Sequence, residues 1–240
     1  MKIEHQESKS RLYRAILADH RERLVRGAIE LDQMLRSPED DTRLGISLIV
    51  PIGFLDGAYP QLIERFKEAE PDQYYYPLSD LHVTIFDFIS GRMDYQRDSG
   101  LEKIFIELSR RALADFSPFE FDLEGVTFSS AAGLLQGFDS GQIVGIRSRI
   151  RSLLKEYGIP NTERYESESA HVTFCRFKSV LRNPAGLVDL IERNGDSKIS
   201  HTTFRSFELV EHDWYNCVSR KRLIERIDLI PANQPVSVTG

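Results

Sequence analysis

Cysteine is scarce: Cys175 and Cys217 are the only two in 240 residues, and no Cys-x-x-Cys spacing joins them. This excludes a disulfide scaffold, a zinc ribbon and a thioredoxin-like redox motif, and both residues are expected as buried thiols. Long apolar runs are also missing. None approaches the roughly 18 residues of a membrane span, and the stretch from Met1 to Ser10 lacks the apolar core of a secretory signal. The expectation is a soluble, cytoplasmic chain without a membrane partner. Nor is there an excess of positive charge, since 31 Lys and Arg stand against 37 Asp and Glu for a net −6. A partner such as long double-stranded nucleic acid is therefore not expected, because binding it rests on neutralising many phosphates. A short phosphorylated ligand needs only local positive charge. Arg147, Arg149 and Arg151 on one expected helix and the run Arg220-Lys221-Arg222 are local basic groups, although both read first as solvated faces.

What is present is an apolar content of 41%, enough to bury a core in a chain of this length. From Ser10 to Leu35 the apolar residues Leu12, Ile16, Leu24, Ile29 and Leu35 fall at roughly helical intervals. They predict a helix or pair of helices that ends at Ser37-Pro38. Leu44 to Ile52 predicts a buried strand, Tyr59 to Glu70 a helix and Leu78 to Ile89 a second strand. Leu101 to Phe116 gathers Ile104, Phe105, Leu108 and Ala112 on one helical face. Phe119, Phe121 and Leu123 then alternate with acidic residues as in a half-buried strand, with Gly133 to Phe138 as its neighbour. A helix from Ile143 to Tyr157, closed by Gly158 and Pro160, opens the second half. A strand at Ala170 to Phe177, a helix at Pro184 to Arg193, and strands at Phe204 to Val210 and Leu223 to Ile230 follow. The fold class this order predicts is α+β with mostly antiparallel sheets.

The chain also resembles itself. Leu81-His-Val-Thr-Ile-Phe-Asp-Phe-Ile-Ser90 aligned on Ala170-His-Val-Thr-Phe-Cys-Arg-Phe-Lys-Ser179 matches at five of ten positions, with the histidines 89 residues apart. A lone His-x-Thr carries little information, and His201-Thr202-Thr203 supplies a third such match. It lacks the valine and a partner in the first half, and is expected at the start of a strand near the surface. Two copies at equivalent places in a repeated strand–helix order instead suggest two related lobes. In a strand, positions i and i+2 share a face, so each histidine projects beside its threonine while Val83 and Val172 point toward the core.

Two imidazoles can divide acid and base roles near neutral pH, and threonine hydroxyls can donate to non-bridging phosphate oxygens. No carboxylate or cysteine accompanies either copy at a ligand spacing, so neither a metal nor a cofactor is expected. The segments Leu81-His82-Val83-Thr84-Ile85 and Ala170-His171-Val172-Thr173-Phe174 resemble the signature motifs of the two-histidine (2H) phosphoesterase superfamily. That superfamily includes RNA 2′,3′-cyclic phosphodiesterases and 2′–5′ oligonucleotide phosphodiesterases. The resemblance covers roughly Arg43 to Ile230. It implies a bilobal α+β fold, metal-free acid–base catalysis by His82 and His171, and phosphate contacts from Thr84 and Thr173. The implied partner is a nucleotide or short RNA or oligonucleotide, with a 2′,3′-cyclic phosphate or a 2′–5′ linkage as the bond cleaved. Arg176 stands where related sequences often carry a basic residue, yet strict alternation from His171 turns it away from the histidine face.

Tyr74, Tyr75 and Tyr76 precede the first motif, Tyr165 precedes the second, and Trp214 with Tyr215 lies near the end of the chain. As a group they suggest an aromatic clamp for a base, and Tyr76, Tyr165 and Arg176 are the expected substrate-binding residues beside the threonines. The expected organisation is a helical extension over 1–42, a bilobal domain over 43–230 and a tail over 231–240. Two other function classes compete: a nucleotide- or RNA-end-binding module without turnover, and a sugar isomerase or epimerase using two histidines. The oligomeric state is not legible.

Overall fold

In chain order the elements are α1 (Lys2–Val25), β1 (Leu44–Pro51), α2 (Ala58–Ala69), β2 (Tyr74–Tyr75), β3 (His82–Arg92), α3 (Ser99–Leu113), β4 (Phe119–Phe128), β5 (Ala132–Phe138), α4 (Gln142–Glu156), β6 (Val172–Arg176), α5 (Pro184–Arg193), β7 (Lys198–Phe204), β8 (Ser206–Asp213) and β9 (Arg222–Asp228). They come from a computed structural model that describes residues 2–53, 55, 58–163 and 166–231. The fold is α+β, and the sheet runs β7-β4-β5-β6-β3-β1-β8-β9 with every pair antiparallel and β2 added beside β6.

Two four-stranded halves make up this sheet, β9-β8-β1-β3 and β6-β5-β4-β7. They meet at a single bridge between Val83 and Val172, the residues between the two histidine–threonine pairs. The halves exchange helices. α2 follows β1 but packs with β7 and α5 of the other half, whereas α4 follows β5 but packs with β3 and α3 of the first half. The reason lies in the helix faces: Tyr59, Leu62, Ile63 and Phe66 of α2, and Ile143, Ile146, Ile150 and Leu153 of α4, are buried at the spacing of a single apolar stripe. Phe66 reaches the far side of β6, where its ring lies 5.4 Å from that of Phe174 and 5.5 Å from that of Phe128.

Element ends follow local chemistry. The Asp98 carboxylate accepts from Gly100 and Leu101 at the start of α3, and Asn183 accepts from Gly186 ahead of Pro184 in α5. Gly158, at φ +67°, closes α4 as the sequence predicts. Among the described residues no helix is long and apolar enough to cross a membrane.

Several boundaries differ from the sequence reading. α1 starts earlier and stops at Val25, and the next stretch holds only a short turn of tight helix at Gln33–Arg36, because the apolar residues from Ile29 to Leu35 pack as a loop against the core. Leu78–Asp80 is a tight helical turn instead of strand, and β3 extends to Arg92. β2 and β7 were not distinguished from the sequence. β7 is an edge strand with an irregular polar pattern, so no alternation marks it. His201 therefore sits inside β7 and not at a strand start. It is exposed there, 2.6 Å from Asp122 and 2.8 Å from Glu120 of β4.

α1 docks on β4, β5 and α5. Its Tyr13 hydroxyl accepts from the backbone N–H groups of Gly137 and Ala170, each at 3.1 Å. Gly137 is where β5 comes so close to Ala170 that an added Cβ would sit 1.7 Å from the Ala170 carbonyl oxygen. A residue of the first helix thus completes the backbone hydrogen bonding immediately before His171. Lys9 of the same helix reaches the buried Asp139 carboxylate, which also accepts from Gly141 and Ile143 at the start of α4.

Candidate active site at the seam of the two half-sheets

Pairing of Val83 with Val172 sets the geometry of both motifs. In an antiparallel register through that pair, His82 stands across from Thr173 and Thr84 across from His171. All four side chains share the face opposite to the fully buried valines. All four are half-buried, as the period-two pattern predicts. The two histidines occupy the diagonal of this quartet, and a diagonal pair lies roughly 7–8 Å apart at Cα, room for a tetrahedral phosphate between the ring tips.

Each ring is held at Nδ1, but by different groups. His82 Nδ1 donates to the Asp80 carbonyl at 2.8 Å, and that oxygen also accepts from Asn216 Nδ2 at 3.1 Å. A carbonyl only accepts, so Nδ1 carries a proton and the neutral ring presents the Nε2 lone pair. His171 Nδ1 lies 2.8 Å from the Ser169 hydroxyl, which can donate or accept, so either tautomer of this ring is accommodated. Burial pushes His82 down to about 3, opposed by its bond to the Asp80 carbonyl and reinforced by His212, Lys221 and His171. His171 is pushed down to about 4, again first by burial and then by the Arg147 and Arg176 guanidinium groups. Both rings are thus neutral at pH 7 in the unliganded protein.

The half-sheets also share a distortion. On β3 the register moves from Leu48–Phe86 to Ile49–Thr84, and on β6 from Gly133–Cys175 to Leu134–Thr173, so each strand carries one extra residue just after its threonine. A bulge of this kind reverses the facing of everything beyond it. Burial follows: Ile85 and Phe86 are both buried, as are Phe174 and Cys175, and the next residue of each strand turns back to the histidine face. Those residues are Asp87 and Arg176. Strict alternation mispredicts Arg176 for this reason.

Arg176 Nε donates to the Tyr76 hydroxyl at 2.7 Å, and its guanidinium lies 5.5 Å from the Trp214 ring centroid. Arg43 lies over the same indole at 4.4 Å. Tyr76 is only 6% exposed and packs against Tyr74 and Tyr215, so it meets the site through Arg176 instead of offering a ring face. Tyr165 lies outside the described residues.

Sequence reasoning missed Arg147. It is 3% exposed, and its guanidinium donates to the carbonyls of Thr84, Ile85, Ser167 and Ser169 at 2.7–2.9 Å. It therefore ties the strand of one histidine to the approach to the other. Burial lowers its pKa to about 10, which leaves it charged. The placement of Arg147 two residues from Arg149 and four from Arg151 suggested a solvated stripe. Those two do pair at the surface side, with Asp115 and Glu163, whereas Arg147 shares the inward face of Ile143, Ile146 and Ile150. Among the described residues no three His, Cys, Asp or Glu side chains converge as a metal site. Two other concavities, one lined by Arg36, Lys67 and Lys178 and one between α1 and β4–β5, contain neither motif.

No family model matches the sequence, and no curated protein matches it. Solved structures do match. The protein TT0787 of Thermus thermophilus superposes with a TM-score of 0.50 at 16% identity, over 79% of this chain and 99% of that one. A crystal structure of a phosphoesterase gives 0.51 at 15% identity, again over 79% and 99%. The chain shares the fold of these two structures. At these identities the likeness shows the architecture alone, and the chemistry rests on the seam residues themselves.

Proposed function

We propose that the chain is a metal-independent phosphodiesterase acting on a nucleotide or RNA end, at a 2′,3′-cyclic phosphate or a 2′–5′ linkage, with His82 and His171 as its acid–base pair. The observation that carries this reading is the diagonal quartet at the Val83–Val172 bridge, with each imidazole held at Nδ1 and its other nitrogen left for the open face. One histidine takes a proton from the attacking water or hydroxyl, the bond from phosphorus to the departing sugar oxygen breaks, and the other histidine supplies the proton that oxygen needs. Thr84 and Thr173 donate to the non-bridging oxygens. Depressed imidazole pKa values suit this order of events, because an anionic phosphate between the rings raises the proton affinity of the one that must act as acid. Arg176 and Trp214, already in contact, form a rim against which a base can stack.

The test is a panel of 2′,3′-cyclic nucleotides, RNA ending in a 2′,3′-cyclic phosphate and 2′–5′ oligoadenylate, assayed with and without chelator. Turnover of at least one substrate, unchanged by chelator, is expected. Inhibition by chelator that added metal reverses would overturn the mechanism. A second reading, binding without turnover, draws on the same low imidazole pKa values. It predicts stoichiometric retention of the substrates with no product.

A further inference from the structure

A third histidine stands beside the first. The ring of His212, on β8, lies with its centroid 6.3 Å from that of His82. Its Nδ1 is 2.6 Å from the Asp213 carbonyl, its Nε2 is 2.8 Å from the Ser47 hydroxyl on β1, and that hydroxyl is 2.6 Å from Asp87 Oδ1 on β3. The chain of contacts crosses three adjacent strands and ends at the residue that the β3 bulge turns onto the histidine face.

Counting protons shows what the complete chain requires. Three contacts need three protons between their heavy atoms. The carbonyl has none to give, so Nδ1 must carry one; the serine hydroxyl supplies one. With a neutral imidazole and an ionised carboxylate these two are all there are, and one of the three contacts is empty. Completing the chain takes one more proton, held on His212. Burial holds His212 below the ordinary imidazole range; the Asp213 carbonyl and the Asp87 and Asp213 carboxylates act against this, and Lys221 adds to it.

We propose that His212, Ser47 and Asp87 form a one-proton store that acts as a positioning device for His82, setting the pH at which His82 itself gains a proton. His82 faces the Asp80 carbonyl and Asn216 from the preceding turn and the final loop, His171 from just ahead of β6, Lys221 from just ahead of β9, and His212 from β8, two strands across the sheet. Of these, His212 is a partner whose charge changes with pH and depends on a carboxylate two strands away. A proton on His212 opposes one on His82, so the two rings do not charge together. The part this plays in turnover rests on the phosphodiesterase reading; the coupling of the rings does not.

Nuclear magnetic resonance titration of the histidine ring nitrogens tests it in the intact chain. In His212→Gln the midpoint for His82 should rise by about two pH units, the size expected for two charges 6.3 Å apart near a protein surface. Asp87→Asn should lower the midpoint of His212, and Ser47→Ala should reduce that effect of Asp87→Asn. A His82 midpoint that stays put in His212→Gln, or a His212 midpoint indifferent to Asp87, overturns the proposal. Chemical shifts of Val83 and Val172 report whether each variant keeps the seam. If the shifts couple as expected but no phosphodiester is turned over, the functional reading fails and the proton store stands. If turnover is present and the midpoints are independent, the reverse holds.

Discussion

The two halves present the same backbone and different chemistry. Each has a histidine, a buried valine, a threonine and a bulge, in that order, and the pairs face each other across one bridge. Around His82 the partners are a carbonyl, an asparagine amide and, beyond the bulge, Asp87, which answers to a serine and a third histidine. Around His171 they are a hydroxyl and, at the matching place beyond the bulge, Arg176 held by Tyr76. The repeat supplies two equivalent positions, and the neighbours make them unequal. A near-symmetric site can then hold an asymmetric substrate in one preferred direction.

The largest expected effect breaks the pair. His82→Asn or His171→Asn should each lower kcat by about 10³-fold without altering the fold by circular dichroism. Their difference is informative. Neutral His82 always presents a lone pair at Nε2, which suits it to accept the proton, so a nitrophenyl leaving group that needs no acid should restore turnover to His171→Asn and not to His82→Asn. Rescue of the His82 variant alone would reverse the assignment.

Next come the hydroxyls. Thr84→Ala and Thr173→Ala should each reduce kcat about 10²-fold while thermal melts stay close to wild type. A melt that falls as steeply as activity would mark them as packing residues. Arg147 sharpens the comparison differently, since it serves both halves: Arg147→Met orphans four carbonyls, two of them in buried hydrogen bonds, and should cost about 3 kcal/mol in urea unfolding. A variant as stable as wild type would mean the seam is held by the strands alone.

The remaining effect is on stability against pH. Folding lowers both catalytic-candidate imidazoles from 6.5, to about 3 and about 4. The unfolded chain therefore binds more protons in the interval between. Their contribution is complete above about pH 6.5 and is lost as pH falls toward 4, so the melting temperature should drop across that window. His82→Asn with His171→Asn should flatten the drop, and an unchanged slope would show that carboxylates dominate it.

Much of this was legible in the residues. Helices such as α2 and α5 declare themselves because a half-buried surface imposes its period on the sequence, and β1 because burial on both faces makes it a continuous apolar run. The quartet was legible because His-Val-Thr, twice, puts polar groups on one face and valine on the other. Arg176, Asp87 and Arg147 were not. The first two face the site only because a bulge breaks the period that a sequence reading must assume, and a bulge is a property of pairing with β1 and β5. Arg147 looked solvated because its four acceptors are backbone carbonyls, which every residue type carries and no sequence pattern marks.

The residues by themselves determined the α+β order of elements, the duplication, and the four side chains at the seam. Tertiary structure alone decided which group anchors each imidazole, which residues the bulges turn inward, and that His212 and Tyr13 reach the motifs from distant segments. Periodicity is a local property and survives in one dimension; a hydrogen bond between residues 80 and 216, or 13 and 170, exists only once the chain has closed on itself.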